Sequence, residues 1–173
     1  LASVNLSKIN KKADIERVVP IAVRMLDNVI DLNFYPHKKV KHTNLASRSI
    51  GLGVMGEAQM LAERGVKWGG YEHFALIDSI MENISYQAIY TSSNLAVEKG
   101  KYPTFEGSKW SRGVMPIDTA NENAKALLNH GGLFDEDTCD WEKLRAKVKT
   151  DGMRNGYLMA IAPTSSISIL VGT

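Results

Sequence analysis

The segment Ala162-Pro-Thr-Ser-Ser-Ile-Ser168 crowds hydroxyl side chains behind a proline. The apolar run just before it, residues 157–162, reads as a buried strand. A helix starting at Ser165 or Ser166 and running through Leu170 would leave its first backbone N–H groups without acceptors. Those groups would point one way and carry partial positive charge. Hydroxyls beside them add neutral donors. This is the composition of a phosphate cradle that does without lysine. Pro163 fixes the turn. An ordinary Ser/Thr helix cap uses the same residues, and residue types alone favour neither reading.

Gly51-Leu-Gly-Val-Met-Gly56 fits the G-x-G-x-x-G pattern of dinucleotide-binding turns. Its context argues against that use. The residues before it do not make a convincing long strand, and no Asp or Glu is well placed about 20 residues on to hold a ribose, where the sequence reads Trp68-Gly-Gly-Tyr-Glu72. The preferred reading is a tight strand-to-helix turn where small residues permit close packing. Cys139 is the one cysteine, so an internal disulfide is impossible. It lies just before a helix start, which favours a thiolate. The acids Asp135, Glu136, Asp137 and Asp140 oppose one, so an unreactive thiol is expected. The histidines, His37, His42, His73 and His130, lack metal-ligand spacing, and no metal is expected. Lys38, Lys39, Lys41, His42 and Arg48 form a basic patch, read by default as a solvated surface.

Residues 1–9 alternate and read as extended. Asp14 is placed as the cap of a helix running to Leu32, with Val18, Ala22, Met25, Leu26, Val29 and Ile30 at helical spacing. Pro20 should kink that helix or mark its first turn. Residues 33–47 read as a loop. A second helix covers 54–64 and ends at Gly65. A long one covers 71–99, stopped by Gly100, with Phe74, Ile77, Ile80, Met81, Ile84, Ala88, Leu95 and Ala96 available for burial. Residues 101–123 read as loop, 122–128 as a short helix, and 131–132 as a break. Asp140 caps a helix over 141–149, ended by Gly152, with Trp141, Leu144 and Val148 on one side. Helices dominate and strands are few.

The length, 173 residues, fits one domain. A composition of 44% hydrophobic and 23% charged residues can build a core. A net charge of +2 makes no field that would recruit nucleic acid or an anionic membrane. No apolar run approaches a membrane span, and a cytoplasmic protein is expected. The chain starts at a leucine and stops in the apolar run Ile167-Ser-Ile-Leu-Val-Gly-Thr173. Domain boundaries usually fall in polar linkers, so a piece incomplete at both ends is expected.

Five segments taken in order resemble one family, the class I ribonucleotide reductase large subunits. They are Leu1-Ala-Ser-Val-Asn-Leu6, Arg48-Ser-Ile-Gly-Leu-Gly-Val-Met-Gly56, Tyr102-Pro-Thr-Phe-Glu-Gly-Ser-Lys-Trp110, Arg112-Gly-Val-Met-Pro-Ile-Asp118 and Arg154-Asn-Gly-Tyr-Leu-Met-Ala-Ile-Ala-Pro-Thr-Ser-Ser-Ile-Ser168. The resemblance implies an α/β fold, this chain being a helix-rich fragment of a ten-stranded α/β barrel, with residues 1–173 all in the barrel domain. It implies reduction of ribonucleoside diphosphates to the deoxy forms by a thiyl-radical mechanism. Thr164, Ser165, Ser166 and Ile167 match the substrate-phosphate positions, with Pro163 as supporting turn and the Ile167 amide as donor. Leu1 is expected to line the substrate pocket near the ribose. No residue of this chain matches a catalytic position, Cys139 included, so the chain alone should be inactive and should bind no cofactor.

For the full subunit the resemblance implies ATP and dNTP effectors and a thioredoxin or glutaredoxin reductant. It also implies a metal-radical small subunit, a homodimer, and contact with neither nucleic acid nor membrane. The alternative is a non-catalytic helical module that grips a phosphate-bearing ligand. A third is a purely structural helical domain in which the hydroxyl turn is only a cap.

Overall fold

The structure, a computed structural model, describes residues 1–120 and 139–173. The helix expected over 122–128 and the break at 131–132 lie outside the described residues. Among the described residues the elements run β1 (Ala2–Asn5), α1 (Lys12–Leu32), α2 (Lys38–Ser47), β2 (Leu52–Met55), α3 (Glu57–Arg64), α4 (Tyr71–Lys99), α5 (Trp141–Asp151) and α6 (Ser165–Val171), with 3₁₀ turns at Leu6–Lys8 and Pro116–Thr119. β1 and β2 pair in parallel, Ala2 opposite Leu52 and Asn5 opposite Met55. The molecule is thus α/β, helix-rich, with a small parallel sheet.

α1 and α4 form the scaffold, packing along each other, while α5 leans on α4 and α3 on the Leu6–Lys8 turn. α1 buries Ile15, Val19, Val23, Asp27 and Ile30, spaced by four and then three residues. Of the apolar positions noted at helical spacing, Met25 and Val29 stand exposed, Val18, Ala22 and Leu26 pack at the edge, and Ile30 is buried. The reason is that the apolar arc of α1 is wider than the face the core covers, so spacing alone does not select that face. On α4, Ile80, Ile84, Ala88, Leu95 and Ala96 are buried as expected, but Phe74 is exposed and Leu76 and Ile89 also enter the core.

Several boundaries differ from the sequence expectation. α1 begins two residues before Asp14, which lies in its first turn and accepts backbone N–H bonds from Asn10 and Lys11 at 3.0 and 3.2 Å. Pro20 sits inside the helix, not in its first turn. Residues 38–47, expected as loop, form α2, where His37 Nδ1 caps the helix by accepting from the Lys39 amide. α2 buries no side chain, so it has no apolar stripe to betray it. Arg48 leaves the basic patch altogether and is buried against Asp27 and Asp31. Residues 54 and 55 belong to β2, and α3 starts only at Glu57.

Candidate phosphate-binding turn

The run expected as a buried strand, residues 157–162, lies beside β2 without forming a regular strand. Ile50 N–H donates to the Tyr157 carbonyl at 3.0 Å and Leu52 N–H to that of Leu158 at 2.8 Å. Ala160 N–H returns to the Leu52 carbonyl at 3.1 Å, and a single parallel bridge joins Leu52 to Met159. Leu158 is buried, but Tyr157 and Ile161 are exposed. Only one face of this segment is covered, and that face rests on glycines. A Cβ on Gly53 would collide with the Ala160 carbonyl oxygen, and one on Gly51 would come within 3.0 Å of the Ala160 Cβ and closer still to Leu1. At Gly56 the same space is taken by Asn5 and Thr173. The room a pyrophosphate would need in a dinucleotide-binding turn is filled by protein. The glycines serve close packing, as their context in the sequence indicates.

The chain leaves this edge through Pro163 and turns at Thr164, a non-glycine residue with left-handed backbone, φ 56° and ψ 4°. A hydroxyl cap ordinarily takes extended backbone and accepts from an amide of the first turn. Thr164 does neither, since its side chain makes no capping hydrogen bond. The amides of Ser165, Ser166 and Ile167 open α6, where no carbonyl stands one turn back. The first amide to find such a partner is that of Ser168, donating to the Thr164 carbonyl at 2.9 Å. The Ser168 hydroxyl is spent on the Ser165 carbonyl at 3.0 Å. Ser165, Ser166 and Ile167 are all exposed.

A cavity of about 280 Å³ faces this turn, lined by Leu1, Ala2, Ser3, Ala162, Thr164, Ser165, Ser166 and Ile167. The structure therefore brings Leu1 and the Thr164–Ile167 residues, 163 positions apart in sequence, to one wall. Leu1 also borders a second cavity of about 350 Å³ with Ile30, Tyr35, Ser49 and Ala160. Pro163 is exposed and serves the turn without lining the cavity. Ser3, which no sequence motif singled out, adds a buried Oγ without a hydrogen-bond partner to the same lining. Alternation along β1 was the only signal that could have pointed to its face. The lining offers amides, hydroxyls and apolar surface, with no charged side chain, so it can bind an anion by neutral donors but can move no proton.

The other candidates stand apart from this turn. Cys139 is half-buried, its Sγ 3.7 Å from Asn83 Oδ1. Burial first, and the Glu82 carboxylate second, push its thiol up to about 12. The direction matches the sequence expectation, and among the described residues the acids that contribute are Glu82 and Glu16. Asp135, Glu136 and Asp137 lie outside the described residues, and Asp140 is engaged in capping α5 through the Lys143 amide at 2.9 Å. His73 is buried and bonded to Glu57 at 2.7 Å and to the Gly69 amide at 3.0 Å, which joins α3 to the start of α4. Among the described residues no three His, Cys, Asp or Glu side chains are grouped to hold a metal ion, and no helix is long and apolar enough to cross a membrane.

A sequence model of the family described as "Ribonucleotide reductase, barrel domain" matches residues 1–173. The chain is 68% identical to the ribonucleoside-diphosphate reductase subunit alpha of Helicobacter pylori (strain ATCC 700392 / 26695) over 173 residues, all of this chain and 22% of that protein. It is 46% identical to the subunit alpha of Treponema pallidum over 175 residues, covering all of this chain and 19% of the relative. It is 34% identical to the ribonucleoside-diphosphate reductase large subunit of Caenorhabditis elegans over 178 residues, covering 99% of this chain and 21% of that one. The chain thus spans about a fifth of the length of the curated relatives it matches.

Proposed function

The chain belongs to the ribonucleotide reductase barrel-domain family, and on that premise we propose that it is the substrate-phosphate segment of a ribonucleoside-diphosphate reductase large subunit. In this reading the whole subunit reduces ribonucleoside diphosphates to deoxyribonucleoside diphosphates by a thiyl-radical mechanism, within a ten-stranded α/β barrel to which residues 1–173 contribute. Thiols elsewhere in the subunit supply the electrons, and thioredoxin or glutaredoxin restores them. A metal-radical small subunit starts the reaction, ATP and dNTPs regulate it, and the subunit works as a cytoplasmic homodimer.

The role of this segment is to hold, not to react. The amides of Ser165, Ser166 and Ile167 and the hydroxyls of Thr164, Ser165 and Ser166 receive the diphosphate, while Leu1 meets the sugar. The phosphates are remote from the ribose carbons that react, so their binding energy serves to orient the sugar. The observation that carries this reading is the backbone of Thr164. By taking the left-handed conformation it leaves the first-turn amides of α6 unclaimed over a cavity of matching chemistry.

Steady-state kinetics on the full-length subunit carrying this segment tests it. Ser165→Ala or Ser166→Ala removes one hydroxyl and keeps the amides, a loss at the low end of the ~1.5–3 kcal/mol for a charge-assisted bond. Ser166→Asp sets a negative charge against the diphosphate and is expected to raise KM by well over about tenfold. Unchanged kcat/KM in both Ser165→Asp and Ser166→Asp would show that the turn does not meet the substrate.

A further inference from the structure

A buried polar cluster stands at the start of the segment that leads to the turn, and none of its residues lines the cavity. Asp27 of α1 is fully buried. Its Oδ1 accepts from Arg48 Nε at 3.0 Å, Arg48 Nη2 at 2.8 Å and Asn155 Nδ2 at 3.1 Å. Its Oδ2 lies 3.3 Å from Arg154 Nε and 3.7 Å from Lys99 Nζ. Arg48 holds a left-handed backbone at φ 44° and bonds Asp31 as well. One carboxylate therefore gathers the middle of α1, the entry to β2, the end of α4 and the start of the segment that leads to the turn.

Asn155 is the member that faces this segment. It is fully buried and every polar group of its side chain is used. Its Nδ2 donates to Asp27 and to the Arg48 carbonyl, both at 3.1 Å. Its Oδ1 accepts from Ser92 Oγ at 2.9 Å, and its own amide donates back to that hydroxyl at 3.1 Å. From there to Ala160 the hydrogen bonds to residues 47–52 are all main-chain ones, Trp110 Nε1 donates to the Gly156 carbonyl at 2.9 Å, and Leu158 is buried. Main-chain bonds between parallel segments are alike in every register, so side chains must choose it, and Asn155 at the head of the segment acts together with the buried Leu158. A slip of one residue moves the chain by about 3.3 Å, more than a hydrogen bond tolerates.

We infer that Asn155, clamped between Ser92 and the Asp27–Arg48 pair, is a positioning residue that sets the register of the 156–160 segment on β2 and thereby where the phosphate turn presents its amides. This rests on the reading of that turn as the diphosphate site.

The test uses the full-length subunit carrying this segment, with Asn155→Asp and Ser92→Ala. Asn155→Asp keeps the volume but loses both donations and sets a second carboxylate beside Asp27. Ser92→Ala is the milder change that leaves a folded protein to measure. KM and kcat for the diphosphate substrate are read together with the Ki of inorganic pyrophosphate as a competitor. In Ser92→Ala, KM and the pyrophosphate Ki rise together by about fivefold, the equivalent of one lost hydrogen bond, while kcat moves by less than about twofold. A folded Ser92→Ala protein with both constants unchanged overturns the inference. So does a raised KM with an unmoved pyrophosphate Ki, which would place the defect away from the phosphates. Ser166→Asp run in parallel separates the two ideas. If it leaves KM unchanged, the reading of the turn fails. If it raises KM while Ser92→Ala and Asn155→Asp do not, only the role of Asn155 fails.

Discussion

Thr164 and Cys139 show how far a residue's surroundings decide its chemistry. A threonine ahead of a serine-rich helix start looks like a cap, yet its φ of 56° and its unused side chain leave the cap unmade. Cys139 looks half-activated by its place before α5, but burial and Glu82 hold the thiol up at about 12. Near pH 8 the thiolate fraction is then on the order of one in ten thousand, and alkylation depends on the thiolate. Iodoacetamide at pH 8 is expected to label Cys139 in the folded full-length subunit far more slowly than in the unfolded chain. Cys139→Ser is expected to change turnover by less than about tenfold. Rapid labelling of the folded protein, or a larger loss of turnover, would show that the thiol is freer than its burial indicates.

Among the elements, β2 and the strand-like run beside it determine where the turn lies. Their close approach depends on Gly53, whose missing Cβ makes room for the Ala160 carbonyl. Gly53→Ala needs no unusual backbone angle, so its cost is steric. Overpacking of this kind costs about 1–3 kcal/mol, and here the strain falls on the segment that ends in Pro163. Urea unfolding of the full-length subunit should therefore show a lower midpoint for Gly53→Ala, with a raised substrate KM. Gly65→Ala makes a useful contrast, for nothing lies within 4 Å of its added Cβ and its φ of 68° is the only obstacle. It is expected to lose stability by about 1–2 kcal/mol with KM unchanged. Equal effects on KM would mean that spacing at β2 does not reach the turn.

For the whole molecule, the chemistry that the family resemblance implies outruns the groups this chain holds. Reduction of a ribose needs two electrons, which a dithiol supplies as it closes to a disulfide. This chain has one thiol, and it stays protonated. The isolated 173-residue chain, given the small subunit, a ribonucleoside diphosphate and dithiothreitol, is expected to form no deoxynucleotide above background. Measurable product would mean that the reducing groups have been wrongly placed outside it.

The sequence by itself determined the long helix α4 to the residue, the cap and stop of α5, the ends marked by Gly65 and Gly100, and the order of motifs that points to the family. These are local matters, settled by caps, glycines and apolar spacing within a few residues of each other. Composition also drew attention to the hydroxyl-rich turn 162–168, because donors crowded behind a proline need no distant partner to be noticed, while the choice of Thr164, Ser165, Ser166 and Ile167 within it came from the family resemblance. What the sequence could not decide was which part of α1 turns inward, since the apolar arc of that helix is wider than the face the core covers. Nor could it find α2, which buries nothing, or take Arg48 out of its basic neighbourhood, because the carboxylates that claim it stand 17 and 21 residues away. Ser3 joined the cavity, and Asn155 met Ser92 and Asp27, only through contacts between elements far apart in the chain. Such contacts depend on the register of one segment against another, and register is fixed by the packing of the finished molecule rather than by any single stretch of it.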